Sequence, residues 1–286
     1  MTTTVRRSAL FTPADQRSMM EKAADTDADA LTFDLEDAVA PDRKGLAREN
    51  LVAVLDEVDF GATEVGTRIN AVGTDHWRED VDAAVAAGVD AVAVPMVESV
   101  EGVETLLGAL DDATDDPPAV RLGFESPAGV FAADDIARRV EDAPEVVGMS
   151  FGIADYCREI GAPDISARVR EFLEHRIRGC AALGGLDAFA SPHLDVDDEE
   201  GLRERAESAR ELGYAGMSAI HPGQLATINE VFTPSDERVA QARRLVRAFD
   251  DSDSDSLLVE GVFLDTATVD RYRDVVAVAE RIESDH

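Results

Sequence analysis

Eight short apolar runs recur along the chain, and the segments between them carry helical periodicity. Most runs are continuous rather than alternating, which is typical of strands buried on both faces of a parallel sheet. Eight strands alternating with helices in about 220 residues predict a (β/α)8 barrel, also called a TIM barrel. An open doubly wound sheet is the alternative, but the first strand lacks the glycine-rich phosphate loop of that fold. The predicted strands are residues 8–11, 30–35, 66–69, 91–94, 120–124, 146–151, 188–190 and 216–219.

The chain continues well past the eighth predicted strand. A helix is predicted at residues 236–249, an exposed acidic loop at 250–256 and a last helix at 269–282. This region is too small for an independent core. We therefore expect residues 1–232 to form the barrel domain and residues 233–286 to form a C-terminal extension, acting as a lid or as an arm on a neighbouring subunit.

The formal net charge is −33, from 60 acidic and 27 basic residues. Exposed charges repel over the long Debye length of dilute solution (~30 Å at 0.01 M), whereas molar salt screens them. The acidity therefore predicts a protein of an extreme halophile. An acidic disordered chain is the alternative, which the 45% apolar content and regular periodicity disfavour. Because the same charge repels phosphate groups, nucleic acid is not expected as a partner.

No apolar stretch approaches the ~20 residues that span a bilayer, and residues 1–7 do not resemble a signal peptide. We therefore expect a soluble cytoplasmic protein with no membrane partner. Cys157 and Cys180 are too few for a disulfide framework, and no cysteine or histidine spacing is typical of a zinc site.

Two carboxylates follow neighbouring predicted strands. Glu125 comes after the fifth strand and Asp155 after the sixth. The carboxyl ends of barrel strands meet at one mouth, where such enzymes place their chemistry. A divalent cation relieves the repulsion of two carboxylates sharing a site, and Mg²⁺ or Mn²⁺ suits oxygen ligands. The alternative is that either residue caps a helix or forms a structural ion pair.

A cation also lies at this mouth. Arg68 ends the third predicted strand, and a guanidinium can hold a carboxylate and stabilise an oxyanion. Pairing with Glu36 or Asp37 is the structural alternative, and the two roles are compatible. Glu36 is the better candidate for a site residue, since Asp37 can cap a helix. His193 and His221, after the last two strands, are weaker acid–base candidates.

Seven short motifs occur in an order that resembles the citrate lyase β-subunit-like family, which includes malyl-CoA and β-methylmalyl-CoA lyases. The resemblance covers almost the whole chain, and its strength lies in the ordered set rather than in any single motif. The motifs are SALFTP (8–13), FDLEDAV (33–39), RIN (68–70), ESPAG (125–129), FGIAD (151–155), AIHPGQ (219–224) and VEGVFLD (259–265).

The resemblance implies a (β/α)8 barrel that assembles as homotrimers or homohexamers. It implies cleavage or formation of a C–C bond between a 2-oxo acid and an acyl-CoA. Glu125 and Asp155 would bind Mg²⁺, with Glu125 close to the substrate, and Arg68 would hold the oxo acid. Asp265 matches a catalytic acid that a neighbouring subunit's C-terminal arm supplies. Two departures stand out: Met96 replaces a lysine that many relatives have, and the first loop reads Pro-Ala-Asp at 13–15 where Pro-Gly is usual.

These observations predict an Mg²⁺-dependent carbon–carbon lyase that splits malyl-CoA or β-methylmalyl-CoA into glyoxylate and acetyl-CoA or propionyl-CoA. A malyl-CoA thioesterase is one alternative, in which water attacks the thioester. A citryl-CoA lyase β subunit of a citrate-lyase-like complex is another, and a noncatalytic subunit of such a complex is a third. One methylene separates the two acyl chains, worth ~1–3 kcal/mol of pocket packing, so the sequence does not choose between them.

Overall fold

The computed structural model describes residues 5–252 and 254–284. Eight parallel strands close into a barrel in chain order, with β8 pairing back onto β1. The predicted (β/α)8 fold is therefore confirmed. The strands are β1 (Ser8–Pro13), β2 (Ala30–Asp34), β3 (Glu64–Arg68), β4 (Ala91–Val94), β5 (Ala119–Phe124), β6 (Val146–Phe151), β7 (Asp187–Ala190) and β8 (Gly216–Ala219).

Helices follow the strands and surround the barrel. Two of them, α6 and α9, with seven and eight residues, were not predicted from the sequence. The helices are α1 (Arg17–Ala23), α2 (Lys44–Glu57), α3 (Trp77–Ala87), α4 (Val100–Ala113), α5 (Pro127–Arg139), α6 (Ile153–Glu159), α7 (Ala167–Leu183), α8 (Glu199–Glu211), α9 (Leu225–Phe232), α10 (Asp236–Asp250) and α11 (Thr266–Ser284). In the described ranges no helix combines the length and the apolar character needed to cross a membrane.

Side chains along each strand alternate between two environments. On β5, Val120, Leu122 and Phe124 belong to the apolar core between the sheet and the helices. Arg121 and Gly123, which alternate with them, line a cavity at the barrel mouth. Since successive side chains point to opposite faces of a sheet, the outward set holds the barrel together and the inward set is left for chemistry.

The C-terminal extension is built from α10, an antiparallel hairpin and α11. The hairpin strands are β9 (Ser256–Val259) and β10 (Val262–Asp265). Ion pairs link these elements, as between Arg244 and Glu260 and between Arg273 and Asp250. The predicted acidic loop is shorter than expected, because α10 runs to residue 250 and β9 starts at 256; residue 253 lies outside the described residues.

The pairing of β8 with β1, which closes the barrel, requires glycine at position 216, where β8 begins. A Cβ atom added there would overlap the backbone carbonyl oxygens of Arg6 and Arg7. Because backbone atoms cannot move aside cheaply, Gly216→Ala should lower the free energy of unfolding by roughly 3 kcal/mol. Gly179→Ala is the control: a Cβ there meets nothing within 4 Å, so helix propensity should make it neutral or stabilising by about 1 kcal/mol. Denaturant unfolding measures both, and equal stability of the two variants would contradict the proposed crowding.

Candidate active site

A cavity of about 350 Å³ opens at the carboxyl ends of the barrel strands. Arg68, Glu125 and Asp155, the residues that sequence reasoning placed at this mouth, all line it. Glu36 joins them through its contact with Arg68, whose Nη1 lies 3.0 Å from Glu36 Oε2. Four of the five predicted site residues thus meet at one mouth, although Glu36 and Asp155 lie far apart in the sequence.

Arg68 is held chiefly by a residue that sequence reasoning missed, Asp34. Its Nε and Nη2 donate to Asp34 Oδ1 and Oδ2 at 2.8 and 2.5 Å, a bidentate contact. Asp34 and Arg68 are direct partners in the β2–β3 register. Asp34 also accepts backbone hydrogen bonds from Glu36 and Ala38, so both its oxygens are satisfied. The expected partners of Arg68 were Glu36 or Asp37; Glu36 makes the contact described above, but Asp34 carries the main one.

A signal for Asp34 exists in the sequence. It is a charged residue at the end of an otherwise apolar strand, and a buried charge needs a partner. Asp34 is 2% exposed, and its neighbour across the sheet is the arginine that ends the next strand. Aligning the ends of β2 and β3 would have identified the pair.

The loop after β2 is fixed by Lys44, one of only two lysines in the chain. Its ammonium donates to the backbone oxygens of Leu35 and Glu36, each at 2.7 Å, and to Asn70 Oδ1 at 2.9 Å. All three ammonium protons therefore have acceptors. This buried contact sets the backbone from which the Glu36 side chain reaches Arg68.

Glu125 follows β5 directly and is packed closely against the chain on both sides. A Cβ on Gly152 would come within 2.9 Å of the Glu125 carboxyl group, so glycine at position 152 leaves room for it. The next residue, Ser126, caps α5 by accepting from the backbone N–H of Gly129, and Pro127 begins that helix. The ESPAG motif thus ends the strand, presents a carboxylate and starts the helix within five residues.

Met96 lies beside this carboxylate in an uncommon backbone conformation. Its φ is +50°, in the left-handed region that side chains other than glycine seldom adopt. A hydrogen bond from its backbone favours the ionised form of Glu125. Position 96, where a lysine was expected, therefore acts on the site through its main chain, and the strained conformation occurs where a carboxylate needs a donor.

Two carboxyl groups at the mouth have strongly raised pKa values. Burial raises the pKa of Glu125 to about 7; Arg68 opposes this, and the negative charges of Asp155 and Asp37 add to it. Burial likewise raises the pKa of Glu36 to about 7, with Arg68 opposing and Glu125 adding. Arg68 keeps its charge, because its contacts with Asp34 outweigh the effect of burial and raise its pKa. The mouth therefore holds more negative charge than its arginine neutralises.

Asp155 lies in the first turn of α6, at the rim of the cavity. Its Oδ1 is 2.7 Å from Arg158 Nη1, but Arg158 is exposed and the pair is one turn of helix apart. Such a surface pair contributes little and exchanges easily with solvent. Asp155 is thus available to a cation at the mouth, and it lines the same cavity as Glu125.

These residues fit a magnesium ion. In residues 5–252 and 254–284 no group of three or more acidic, histidine or cysteine side chains forms a full metal cage. Mg²⁺ does not need one, since it is commonly held by one or two carboxylates together with water and substrate oxygens. The crowded negative charge at Glu125 and Asp155 is what a divalent cation would offset. Mn²⁺ has the same ligand preference.

Asp265 is the predicted site residue that does not reach the cavity within its own chain. It ends β10, and its Oδ1 accepts the backbone N–H of Thr268 at 2.8 Å, which caps the start of α11. The hydrogen bonds from Thr268 lower the pKa of Asp265. In the single chain, Asp265 is therefore an ionised helix cap.

His193 and His221, the two histidines considered as acid–base candidates, stabilise the loops in which they lie. His221 Nδ1 accepts the backbone N–H of Gly223 at 3.1 Å, and His193 Nε2 lies 3.2 Å from Asp198 Oδ2. Gln224 connects the two loops, with its side chain donating to the backbone oxygen of His193 and accepting from Ile220. Neither histidine lines the cavity.

The family model for HpcH/HpaI aldolase/citrate lyase matches residues 7–222, which include all eight barrel strands. This chain belongs to that family. Among curated relatives, it is 31% identical to an L-malyl-CoA/beta-methylmalyl-CoA lyase of Cereibacter sphaeroides, over 97% of this chain and 96% of the relative. It is 32% identical to a (3S)-malyl-CoA thioesterase of the same species, over 96% and 95%.

Two solved structures with a similar fold contain magnesium. The chain matches the protein CitE of Mycobacterium tuberculosis in complex with magnesium, acetoacetate and coenzyme A, with a TM-score of 0.79, 28% identity and coverage of 98% and 100%. It also matches the citrate lyase beta subunit of that species complexed with oxaloacetate and magnesium, with a TM-score of 0.70, 29% identity and coverage of 81% and 99%. Magnesium in these relatives is consistent with the predicted cofactor.

Protons should compete with Mg²⁺ for Glu125. Above pH 7 the carboxylate is ionised and ready to bind the cation, whereas below pH 7 the cation must displace a proton. Titration calorimetry should therefore show about tenfold weaker Mg²⁺ binding at pH 6 than at pH 8. Glu125→Gln should lose the binding at both pH values. Glu101→Gln, on an exposed turn of α4, is the control and should bind like the wild type. A pH-independent affinity would argue against Glu125 as a ligand.

Proposed function

We propose that this protein is an Mg²⁺-dependent acyl-CoA lyase that reversibly cleaves malyl-CoA or β-methylmalyl-CoA into glyoxylate and acetyl-CoA or propionyl-CoA. The observation that carries the proposal is one cavity holding a permanently charged arginine, Arg68, beside the carboxylate pair Glu125 and Asp155. An α-oxo acid offers the matching groups, a carboxylate for the arginine and two adjacent oxygens for a cation. The malyl-CoA lyase relatives, similar over nearly their whole length, support this substrate class.

In the proposed reaction, Arg68 holds the carboxylate of the oxo acid and faces the oxygen that becomes negative as the C–C bond breaks or forms. Asp34 keeps the guanidinium in one orientation, so little reorganisation is needed during the reaction. Glu125 and Asp155 would hold Mg²⁺, which when bound would polarise the oxo-acid carbonyl. Glu36, with a pKa of about 7, can hold or release a proton beside Arg68 at neutral pH, and we propose it as a catalytic residue.

We propose that Asp265 completes the site of a neighbouring subunit, in a homotrimer or homohexamer. The hairpin that carries it presents an apolar face to solvent: Leu258 and Phe263 are cross-strand partners and are 72% and 57% exposed. Burying such a pair is favourable, and contact with a second copy of the chain would bury it. In the docked arm Asp265 would remove a proton from the acyl-CoA in the condensing direction, or return it in cleavage. The C-terminal extension, residues 233–286, would thus be an intersubunit arm.

A halophilic character and a cytoplasmic location are also proposed. The net charge of −33 supports a halophilic protein that works in a salt-rich cytoplasm on acyl-CoA and 2-oxo acid partners. Circular dichroism and a turnover assay during dialysis into low salt test the halophilic character, since retention of fold and activity there would contradict it.

The thioesterase alternative uses the same cavity. A relative at 32% identity carries that name, which favours the thioesterase as a second candidate. The citryl-CoA lyase alternative is supported by the oxaloacetate complex of a solved relative. The three reactions release different products, which makes them separable.

The test is a product analysis. Purified protein in high salt with Mg²⁺ is given malyl-CoA, β-methylmalyl-CoA or citryl-CoA, and the products are identified by mass spectrometry. We expect glyoxylate with acetyl-CoA or propionyl-CoA, activity abolished by EDTA and restored by Mg²⁺. Free malate without glyoxylate would establish the thioesterase instead. Turnover that is unaffected by EDTA would contradict the assignment of Glu125 and Asp155.

Mixed oligomers test whether the active site is shared. Arg68→Ala and Asp265→Ala chains should each be nearly inactive alone. When the two are coexpressed, about a quarter of the sites would combine an intact Arg68 from one subunit with an intact Asp265 from its neighbour, and activity should recover to that extent. The control mixes Arg68→Ala with Glu125→Gln, which lie in the same cavity, and should recover nothing. No recovery in the first mixture would show that Asp265 does not act across subunits.

A further inference from the structure

The cavity at the barrel mouth has an apolar side. Leu194, in the loop after β7, and Ile220, directly after β8, both line it and are 52% and 41% exposed. The charged residues of the lining come instead from β2 and β3 and from the ends of β5 and β6. In the closed barrel, β7 and β8 lie across from β3 and β4. The cavity therefore combines a charged side with an apolar wall, formed by Leu194 and Ile220.

A buried glutamine holds this apolar wall in place. Gln224 is 2% exposed, and its side chain bridges the two loops that carry the wall. Its Nε2 donates to the backbone oxygen of His193 at 2.8 Å, and its Oε1 accepts the backbone N–H of Ile220 at 2.9 Å. Because His193 directly precedes Leu194, one amide group fixes the backbone beside both apolar side chains. The wall is thus positioned before any ligand arrives.

The apolar side begins next to Arg68. Leu10 pairs with Ala219 in the β1–β8 register, so Phe11 and Ile220 are the next residues along two neighbouring strands. Both line the cavity, and the guanidinium of Arg68 lies over the ring of Phe11, 5.4 Å from its centroid. Apolar surface therefore runs from the arginine that would hold the oxo acid to the rim of the cavity after β7.

An apolar wall in a reaction cavity favours an apolar part of the substrate, because the ligand then removes that surface from water. Of the 350 Å³ in the cavity, a small oxo acid such as glyoxylate fills only a part. In the proposed reaction, the α-carbon of the acyl-CoA meets the carbonyl carbon of the oxo acid. The alkyl chain on that α-carbon must then lie beside the bound oxo acid, where the apolar side of the cavity begins.

We propose that Leu194 and Ile220 are specificity-determining residues that bind the alkyl chain of the acyl-CoA. The inference rests on the proposed function, which places the oxo acid at Arg68. Because both side chains are about half exposed at the rim, the wall has room for a chain longer than that of propionyl-CoA. Affinity should therefore rise from acetyl-CoA to propionyl-CoA to butyryl-CoA, and the substrate class extends to straight-chain thioesters of four carbons.

The test is a series of binding measurements. Acetyl-CoA, propionyl-CoA and butyryl-CoA are titrated by calorimetry into the Mg²⁺-loaded protein in high salt, without an oxo acid, so that the lyase reaction does not consume them. In the wild type, each added methylene should strengthen binding about threefold, since a fully buried methylene is worth about fourfold. In Ile220→Ala and in Leu194→Ala, that increment should fall below about 1.5-fold, while acetyl-CoA should bind within about twofold of the wild type.

Val196→Ala is the matched control. Val196 lies two residues beyond Leu194 in the same loop, is 47% exposed and does not line the cavity, so this variant should keep the wild-type increment. A wild type that binds none of the three thioesters, or all three equally, overturns the inference without any variant, so a poorly folded variant does not obstruct the test. An unchanged increment in folded Ile220→Ala and Leu194→Ala also overturns it. If those variants change only the oligomeric state, the wall contacts another subunit and the inference fails.

The product analysis separates this inference from the proposed function. Lyase activity without a methylene increment would leave the function standing and remove the role of Leu194 and Ile220. An increment that depends on both residues, in a protein that cleaves no C–C bond, would support the acyl-binding wall and reject the lyase.

Discussion

The ion pair between Asp34 and Arg68 connects the fold of this protein to its chemistry. The two residues are neighbours across β2 and β3, so the register of the sheet alone brings them together. Taking both charges out of water is costly, and the bidentate contact with the backbone donors to Asp34 is what offsets that cost. Arg68 consequently stays charged in a buried position, in an orientation set before any substrate arrives.

Negative charge around this arginine defines the rest of the site. The surface of the protein carries many acids, but there water and salt screen them. At the cavity mouth Glu36 and Glu125 are desolvated, and each has a pKa near 7. The same residue type is thus a solubilising group outside, and in the proposed function it would be a proton carrier or a metal ligand inside. A divalent cation held by Glu125 and Asp155 would lower the free energy of the second arrangement, because Arg68 alone does not neutralise the carboxylates around it.

In the proposed function, the C-terminal extension would be the segment through which subunits associate. Its hairpin leaves Leu258 and Phe263 exposed, and Asp265 at its end has no contact with the cavity of its own chain. An arm that buries the apolar pair against a neighbour would place a carboxylate next to that neighbour's cavity. In this proposal, association and catalysis depend on one interface.

Much of this protein was decided by its sequence. The eight apolar runs predicted the barrel, because strands buried on both faces need continuous apolar segments, and the residues after those runs included Arg68, Glu125 and Asp155. The sequence did not identify Asp34, Lys44 or Arg121 as part of the site. Each is a charge inside or beside an apolar element, and its partner lies on another strand or loop. Only the closed sheet, with its register and its division into inward and outward faces, decided which charges meet, and therefore which of the chain's many acids and arginines belong to the site.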